Sequence, residues 1–163
     1  MAIKFGTDGW RAVIADEYTF ENLRKISKAT AVAFENHPKI NNGIIIGYDT
    51  RFLSQEFAEC SAEVFANHGI KVFITDSFVT TPTVSLLSRD KNLAYGVMIT
   101  SSHNPAKYNG FKLKDEFGGS MGTVHLSVIE KVLNEKNDFE YGSKTFNELL
   151  NSGKIEYVKG KEY

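Results

Sequence analysis

The chain has 163 residues, of which 42% are hydrophobic and 24% are charged, and its formal net charge is -1. This length and apolar content predict one compact domain with its own core. The balanced charge argues against nucleic acid and membrane surfaces as partners, because both usually require a basic excess. The single cysteine, Cys60, allows no internal disulfide, and the sequence opens without a leader pattern, so we expect a cytoplasmic protein with a small ligand.

The first half of the chain alternates helix and strand signals. Apolar residues recur at helical spacing after Thr19, a typical N-cap residue, and predict a helix over Phe20 to Ala33. The β-branched run Gly43 to Tyr48 predicts a strand that is buried on both faces. A second helical pattern runs from Ser54 to about His68, and Ile70 to Thr75 predicts the next strand.

The alternation continues in the second half. The predicted elements are a helix with Thr81 as N-cap and Pro82 at its first position, strands over Tyr95 to Thr100 and Phe111 to Lys114, and a helix over Thr123 to about Lys136. The polar stretch Asn151 to Tyr163 shows neither a helix cap nor a closing strand. We therefore predict a domain over residues 1–150 and a connector over residues 151–163 that leads toward a second domain.

Strands separated by helices of this length require crossover connections. The fold class predicted is therefore α/β, a three-layer α/β/α arrangement with a mostly parallel, mixed sheet. Ile3 to Ile14 is compatible with a strand and a turn whose direction the pattern does not give. Cys60 falls in step with Phe57 and Val64 on the second helix, which predicts a small buried hydrophobe. Ligands of such sheets bind at the loops after the carboxyl ends of the strands.

Three polar clusters lie where this architecture places a site. They are Gly6 to Arg11 (GTDGWR), Asp49 to Arg51 (DTR) and Thr100 to Pro105 (TSSHNP), and Lys112 follows the third. Arginines on converging loops suit a phosphate, because a planar guanidinium can donate two parallel, charge-assisted hydrogen bonds. The alternative is that Asp49 and Arg51 only pair with each other or cap a turn.

A serine beside a histidine also raises the possibility of a serine hydrolase. Neighbours in an extended segment point to opposite sides, so His103 is badly placed to take a proton from Ser102. Neither Ser101 nor Ser102 lies in a G-x-S-x-G elbow, and the sequence contains no P-loop or dinucleotide-binding fingerprint. These enzyme classes are therefore disfavoured.

The third cluster resembles a known family. Together with Tyr108 to Lys112 (YNGFK), the TSSHNP segment is similar to the phosphoserine loop of the α-D-phosphohexomutases of the phosphoglucomutase/phosphomannomutase kind. Gly6 to Arg11 and Gly47 to Arg51 (GYDTR) reinforce the resemblance in the family's order. The resemblance covers essentially the whole chain and identifies it as the family's first domain.

The resemblance implies a role for each matching residue. Ser102 would carry the phosphate, whereas its neighbour Ser101 stands where alanine is commonest in the family. Lys112 and Arg11 would assist proton transfer and phosphate stabilisation, with His103 as a further acid–base or hydrogen-bonding group. The residues expected to support the site are Ser101, Asn104, Asp49 and Arg51.

The resemblance also implies Mg²⁺, with the phosphate on Ser102 as one of its oxygen ligands. In the family the other ligands come largely from an aspartate-rich loop of the second domain, and no D-G-D-x-D-R sequence occurs here. The implied partners are the remaining domains of the same enzyme, hexose 1- and 6-phosphates of glucose or mannose, and a hexose 1,6-bisphosphate intermediate. We expect this chain to be inactive alone. A phosphoglucosamine mutase domain and a non-catalytic sugar-phosphate-binding module are the alternatives.

Overall fold

A computed structural model describes residues 3–6, 9–136 and 138–160 of the chain. Thr7 and Asp8 of the first polar cluster lie outside the described residues. The strands are β1 (Trp10–Val13), β2 (Ile44–Tyr48), β3 (Val72–Thr75), β4 (Gly96–Ile99), β5 (Tyr108–Lys114) and β6 (Ile155–Val158). The helices are α1 (Phe20–Ala33), α2 (Ser54–Asn67), α3 (Thr81–Asp90), α4 (Thr123–Glu135) and α5 (Phe146–Asn151), with a 3-10 turn at Ile40–Asn42.

The six strands form one mixed sheet in the order β1-β5-β4-β2-β3-β6. Strands β2, β3, β4 and β6 pair in parallel with one another, whereas β5 is antiparallel to both β4 and β1, so β5 alone runs opposite to the other described strands. Helices α1, α2 and α4 contribute to a large core on one face of the sheet, and α3 covers the other face through a smaller core. The predicted three-layer α/β/α fold with a mostly parallel, mixed sheet is confirmed.

The position of β2 between two cores explains why its sequence is apolar throughout. All five of its residues are buried. Ile44 and Ile46 pack into the large core beneath α1 and α2, whereas Ile45 faces Val84 of α3 on the opposite side. A Cβ atom at Gly47 would lie 2.5 Å from a methyl carbon of Val84, so glycine allows α3 to approach the sheet closely just before the strand ends.

The helix starts agree with the cap residues of the sequence, with one correction. The Thr19 side chain accepts a hydrogen bond from the backbone N–H of Asn22 at 3.2 Å and caps α1. The expected N-cap of α3 was Thr81, but the structure gives this position to Thr80, so Pro82 lies at the second helical position and not at the first. Two adjacent threonines offer the same hydroxyl, so composition does not distinguish them.

The expectation that Asn151 to Tyr163 contains no strand is wrong for Ile155–Val158. This segment is β6, an edge strand paired in parallel with β3, and its Ile155 is fully buried. The following Gly160 donates its backbone N–H to Asp76 Oδ1 at 3.2 Å. Four residues that include Glu156 form too short an apolar pattern to predict a strand from the sequence. Residues 161–163 of the expected connector lie outside the described ranges.

Within these described ranges, no helix combines the length and the apolar character needed to cross a bilayer. Within the segment Ile3 to Ile14, residues Trp10–Val13 form β1, whose antiparallel pairing with β5 places Arg11 opposite Gly110. Strand β5 begins at Tyr108, three residues before its expected start, so the YNGFK motif lies within the sheet.

Cys60 provides a test of the core on α2. The side chain is buried as predicted, and burial raises the pKa of its thiol to about 11. Thiolates react and thiols do not, so we expect Ellman's reagent at pH 8 to modify the folded chain at least about tenfold more slowly than the urea-unfolded chain. Equal rates in the two states would contradict this account of α2.

Candidate active site

The site lies where the direction of the chain through the sheet reverses. From β2 the chain passes through α2 to β3, and α3 on the opposite face then returns it to β4 beside β2. A crevice opens at such a point between the carboxyl ends of the two strands, and ligands of open α/β sheets bind there. A cleft of about 450 Å³ is found at this place, and the residues that line it are Asp49, Thr50, Arg51, Phe52, Ser102 and Ala106.

The two serines after β4 have opposite environments. The side chain of Ser101 is fully buried, and its Oγ donates to Asn104 Oδ1 at 3.3 Å. Ser102 is exposed and lines the cleft. The buried hydroxyl has no open path to a bulky sugar phosphate, whereas the exposed one has.

The backbone geometry behind this difference is not the expected one. An extended strand end was expected from the sequence, but the segment is a tight turn closed by a 3.0 Å hydrogen bond from the Asn104 N–H to the Ser101 carbonyl. Ser102 has φ 56, in the left-handed region that non-glycine residues occupy at a cost of about 1–3 kcal/mol. The surrounding contacts must therefore hold this turn in place.

Arg51 makes most of those contacts. Its side chain is only 14% exposed, and its Nε lies 3.3 Å from Asp49 Oδ2. Each of the two terminal guanidinium nitrogens donates to two backbone carbonyl groups. The four carbonyl groups belong to Ser102, Asn104, Pro105 and Tyr108, at distances of 2.8, 2.7, 3.0 and 3.0 Å.

Asp49 is the centre of a second set of hydrogen bonds. Its Oδ1 accepts from the backbone N–H of Arg51 at 2.9 Å and from Ser54 Oγ at 2.8 Å, and its Oδ2 accepts from Thr100 Oγ1 at 2.6 Å. The Thr100 hydroxyl oxygen in turn accepts from the Ser102 N–H at 3.1 Å. One carboxylate therefore ties the end of β2, the start of α2 and the serine turn together.

Strand β5 is joined to the same network. The side-chain amide of the buried Asn109 donates to Ser54 Oγ at 2.9 Å, and its carbonyl oxygen accepts from the Gly110 N–H at 2.8 Å. Tyr18 donates its hydroxyl to the Gly110 carbonyl at 3.0 Å, and burial raises the pKa of this tyrosine well above its usual value. Sequence reasoning missed Ser54 and Asn109 as site residues, because a single polar residue on a buried face carries no distinctive spacing.

The two expected cations lie on one face of the sheet. Arg11 is opposite Gly110 in the β1–β5 ladder, and Lys112 follows two residues later on β5, so both side chains point to the face that α3 partly covers. Arg11 Nη1 donates to Asn104 Oδ1 at 2.8 Å. Lys112 is 5% exposed, and His103 is exposed in the turn itself. The structure thus brings Arg11 into contact with the serine turn and places Lys112 in the adjoining strand.

The described residues do not fit Mg²⁺ as a complete ligand set. They contain no cluster of three or more histidine, cysteine, aspartate or glutamate side chains that could hold a metal ion. Both oxygens of Asp49, the carboxylate on the cleft, are already engaged by protein donors. A hard cation of this kind prefers about six oxygen ligands, and the described residues do not offer such a set.

The chain belongs to the phosphoglucomutase/phosphomannomutase family, because the family model for its alpha/beta/alpha domain I matches residues 2–140. It is 34% identical to a phosphoglucomutase of Staphylococcus saprophyticus over 98% of its own length and 29% of that relative. It is 37% identical to a phosphoglucomutase of Staphylococcus aureus over 83% of its own length and 25% of that relative. The chain therefore spans less than a third of the length of these relatives.

Solved structures agree with this assignment. A candidate phosphomannomutase from Thermus thermophilus superposes with a TM-score of 0.83 at 32% identity, over 99% of this chain and 34% of that one. Parafusin, a phosphoglucomutase from Paramecium, superposes with a TM-score of 0.82 over 93% of this chain and 29% of that one. At 18% identity, the Paramecium structure shows the shared fold alone.

The Asp49 network predicts a strong effect of Asp49→Asn. The amide would turn an NH₂ group toward at least one of the donors that the carboxylate now accepts, leaving a part-buried hydrogen bond unmade. We expect the free energy of unfolding in urea to fall by about 2–4 kcal/mol.

The matched control is Asp90→Asn. Asp90 is 41% exposed and pairs with the exposed Arg89, so we expect a far smaller change in the same urea titration. Similar losses in the two variants would contradict the central role of Asp49.

Proposed function

We propose that this chain is the phosphoserine domain of a phosphohexomutase and that Ser102 carries the phosphate that is exchanged with a hexose phosphate. One observation carries the proposal. Of the two adjacent serines, only Ser102 is exposed, and it lines a cleft at the reversal point of an α/β sheet of the mutase family. A phosphate carrier needs this accessibility, because its phosphoryl group must meet the substrate in line.

In the reaction proposed, the P–Oγ bond of phosphorylated Ser102 breaks as a hydroxyl oxygen of the hexose phosphate bonds to phosphorus. The hydroxyl proton passes to a base of the enzyme, a general acid protonates the departing Ser102 Oγ, and a hexose 1,6-bisphosphate results. After the bisphosphate reorients, the Ser102 hydroxyl gives its proton to a base and attacks the other phosphoryl group, while the departing sugar oxygen takes up a proton and the isomeric hexose phosphate is released. The serine is phosphorylated again, so the cycle consumes no external phosphate.

The residues around the turn suit this chemistry. Phosphoryl transfer depends mainly on positioning and on charge neutralisation, and Arg11 and Lys112 contribute two cations on one face of the sheet. Arg11 already contacts the turn through Asn104. Lys112 or His103 would exchange the proton of the attacking hydroxyl. Mg²⁺, when bound through the phosphate on Ser102, would supply further positive charge at the transferred group.

We propose hexose phosphates of glucose or mannose as substrates, because the relatives carry the names phosphoglucomutase and phosphomannomutase. The short span of this chain relative to them leads us to propose that other domains complete the metal site and the substrate clamp. The chain beyond the edge strand β6 would then lead toward the second domain. The free, buried Cys60 is compatible with the reducing cytoplasm proposed for the enzyme.

The two serines allow a matched test in the complete mutase polypeptide. We expect Ser102→Ala to lower kcat for conversion of glucose 1-phosphate to glucose 6-phosphate by at least about a thousandfold, because the phosphate acceptor is lost. Ser101→Ala removes only a buried hydroxyl and should retain activity within about tenfold.

An active Ser102→Ala enzyme would contradict the proposal. The isolated chain, assayed in parallel, should show no conversion above background. Turnover by the chain alone would contradict the need for further domains.

A further inference from the structure

We propose that Arg51 is a positioning residue that shapes the Ser102 turn, and that it is not a ligand of the substrate phosphate. This inference rests on the function proposed above and assigns a role within the same site. The sequence left two alternatives for Arg51, namely an anion ligand and a structural partner of Asp49. The contacts of its guanidinium group favour a third role, in which the arginine holds the backbone that presents the phosphorylated serine.

The acceptors of Arg51 are the first sign of this role. All three guanidinium nitrogens face protein oxygens, and four of the contacts are hydrogen bonds to backbone carbonyl groups within residues 102–108. Carbonyl acceptors carry no net charge, so these contacts fix the backbone of the loop and do not neutralise an anion. A phosphate could bind Arg51 only by displacing contacts that hold the turn.

The charge beside Arg51 points the same way. Asp49 Oδ2 lies 3.3 Å from Arg51 Nε, so the cation is already compensated by a carboxylate on the same cleft. An incoming phosphate would meet that negative charge. Arg11 also reaches the turn, through the side-chain amide oxygen of Asn104.

Arg51 contacts the part of the turn whose backbone conformation is unfavourable for a residue other than glycine. Ser102 adopts the left-handed conformation, and its own carbonyl oxygen accepts from Arg51 Nη2 at 2.8 Å. A planar guanidinium can donate four bonds in fixed directions, whereas a lysine ammonium has only three donors and no plane. Charge alone therefore does not reproduce the support that Arg51 gives to the turn.

Loss of the Arg51 contacts would misplace the Ser102 hydroxyl relative to the substrate. If the turn relaxes, the Ser102 hydroxyl shifts relative to the substrate, and a misplacement of about 1 Å can cost about a hundredfold in rate. Binding of the hexose phosphate would change little, because Arg51 does not contact it. The expected signature is a lower kcat with a nearly unchanged KM.

The first test uses the chain itself and does not depend on activity. Amide hydrogen exchange, followed by NMR, would compare the wild type with Arg51→Lys and Arg51→Ala. We expect the amides of Ser102 and Asn104, which donate within the turn, to exchange at least about tenfold faster in both variants. Amides of the β2–β4 ladder should keep their wild-type rates, which shows that the variants are folded. Arg89→Lys, at an exposed ion pair, is the control and should change neither group.

The second test uses the complete enzyme. We expect Arg51→Lys to lower kcat for glucose 1-phosphate about a hundredfold, with KM within about threefold of the wild type. Added methylguanidinium should partly restore kcat in Arg51→Ala, because residue 51 lines the open cleft.

The two tests separate the possible failures. Two results would overturn the positioning role. One is an unchanged exchange rate of the turn amides in the Arg51 variants. The other is a large rise in KM in Arg51→Ala that is absent in Arg51→Lys, which would indicate that residue 51 binds the substrate phosphate. Faster exchange in the Arg51 variants of a protein whose wild type shows no mutase activity would leave the positioning role standing and overturn the proposed function instead.

Discussion

The interaction on which the site depends is the pairing of the Asp49 carboxylate with Arg51 at the carboxyl end of β2. The carboxylate accepts hydrogen bonds from the start of α2 and from Thr100 at the end of β4, and the guanidinium reaches the carbonyl groups of the serine turn. Two charged side chains thus connect three elements that are distant in sequence. The contacts of this pair surround the base of an exposed turn whose serine is left-handed.

The fold supplies the place for this pair. Crossovers on opposite faces put β2 beside β4, so the loops after the two strands meet although about fifty residues separate them in sequence. Close packing of the backbone brings these two loops nearer to each other. Gly47 allows α3 to approach β2, and Gly110 leaves room beside Thr100 and Arg11, where a Cβ atom would lie 2.5 Å from the Thr100 carbonyl oxygen. The site therefore combines loop chemistry with backbone approaches that only glycine permits.

Much of the fold could be predicted from sequence, because α1, α2 and β2 have long, clear apolar patterns. Strand β6 could not, since it has only four residues, pairs at an edge and includes the charged Glu156. The site residues were predicted largely by resemblance, and the extended geometry assumed at Ser102 was wrong. A serine carries no signal for positive φ, and the partners of Arg51 are backbone carbonyl groups, which every residue has. These features became visible only in three dimensions.

Ser102, and not its buried neighbour Ser101, is the residue proposed to carry the phosphate. The most direct measurement is tandem mass spectrometry of proteolytic peptides from the complete enzyme after incubation with glucose 1,6-bisphosphate. We predict a single phosphoryl group on Ser102 in the peptide that contains both serines. Phosphate on Ser101, or an unmodified peptide from an enzyme that turns over, would contradict the account.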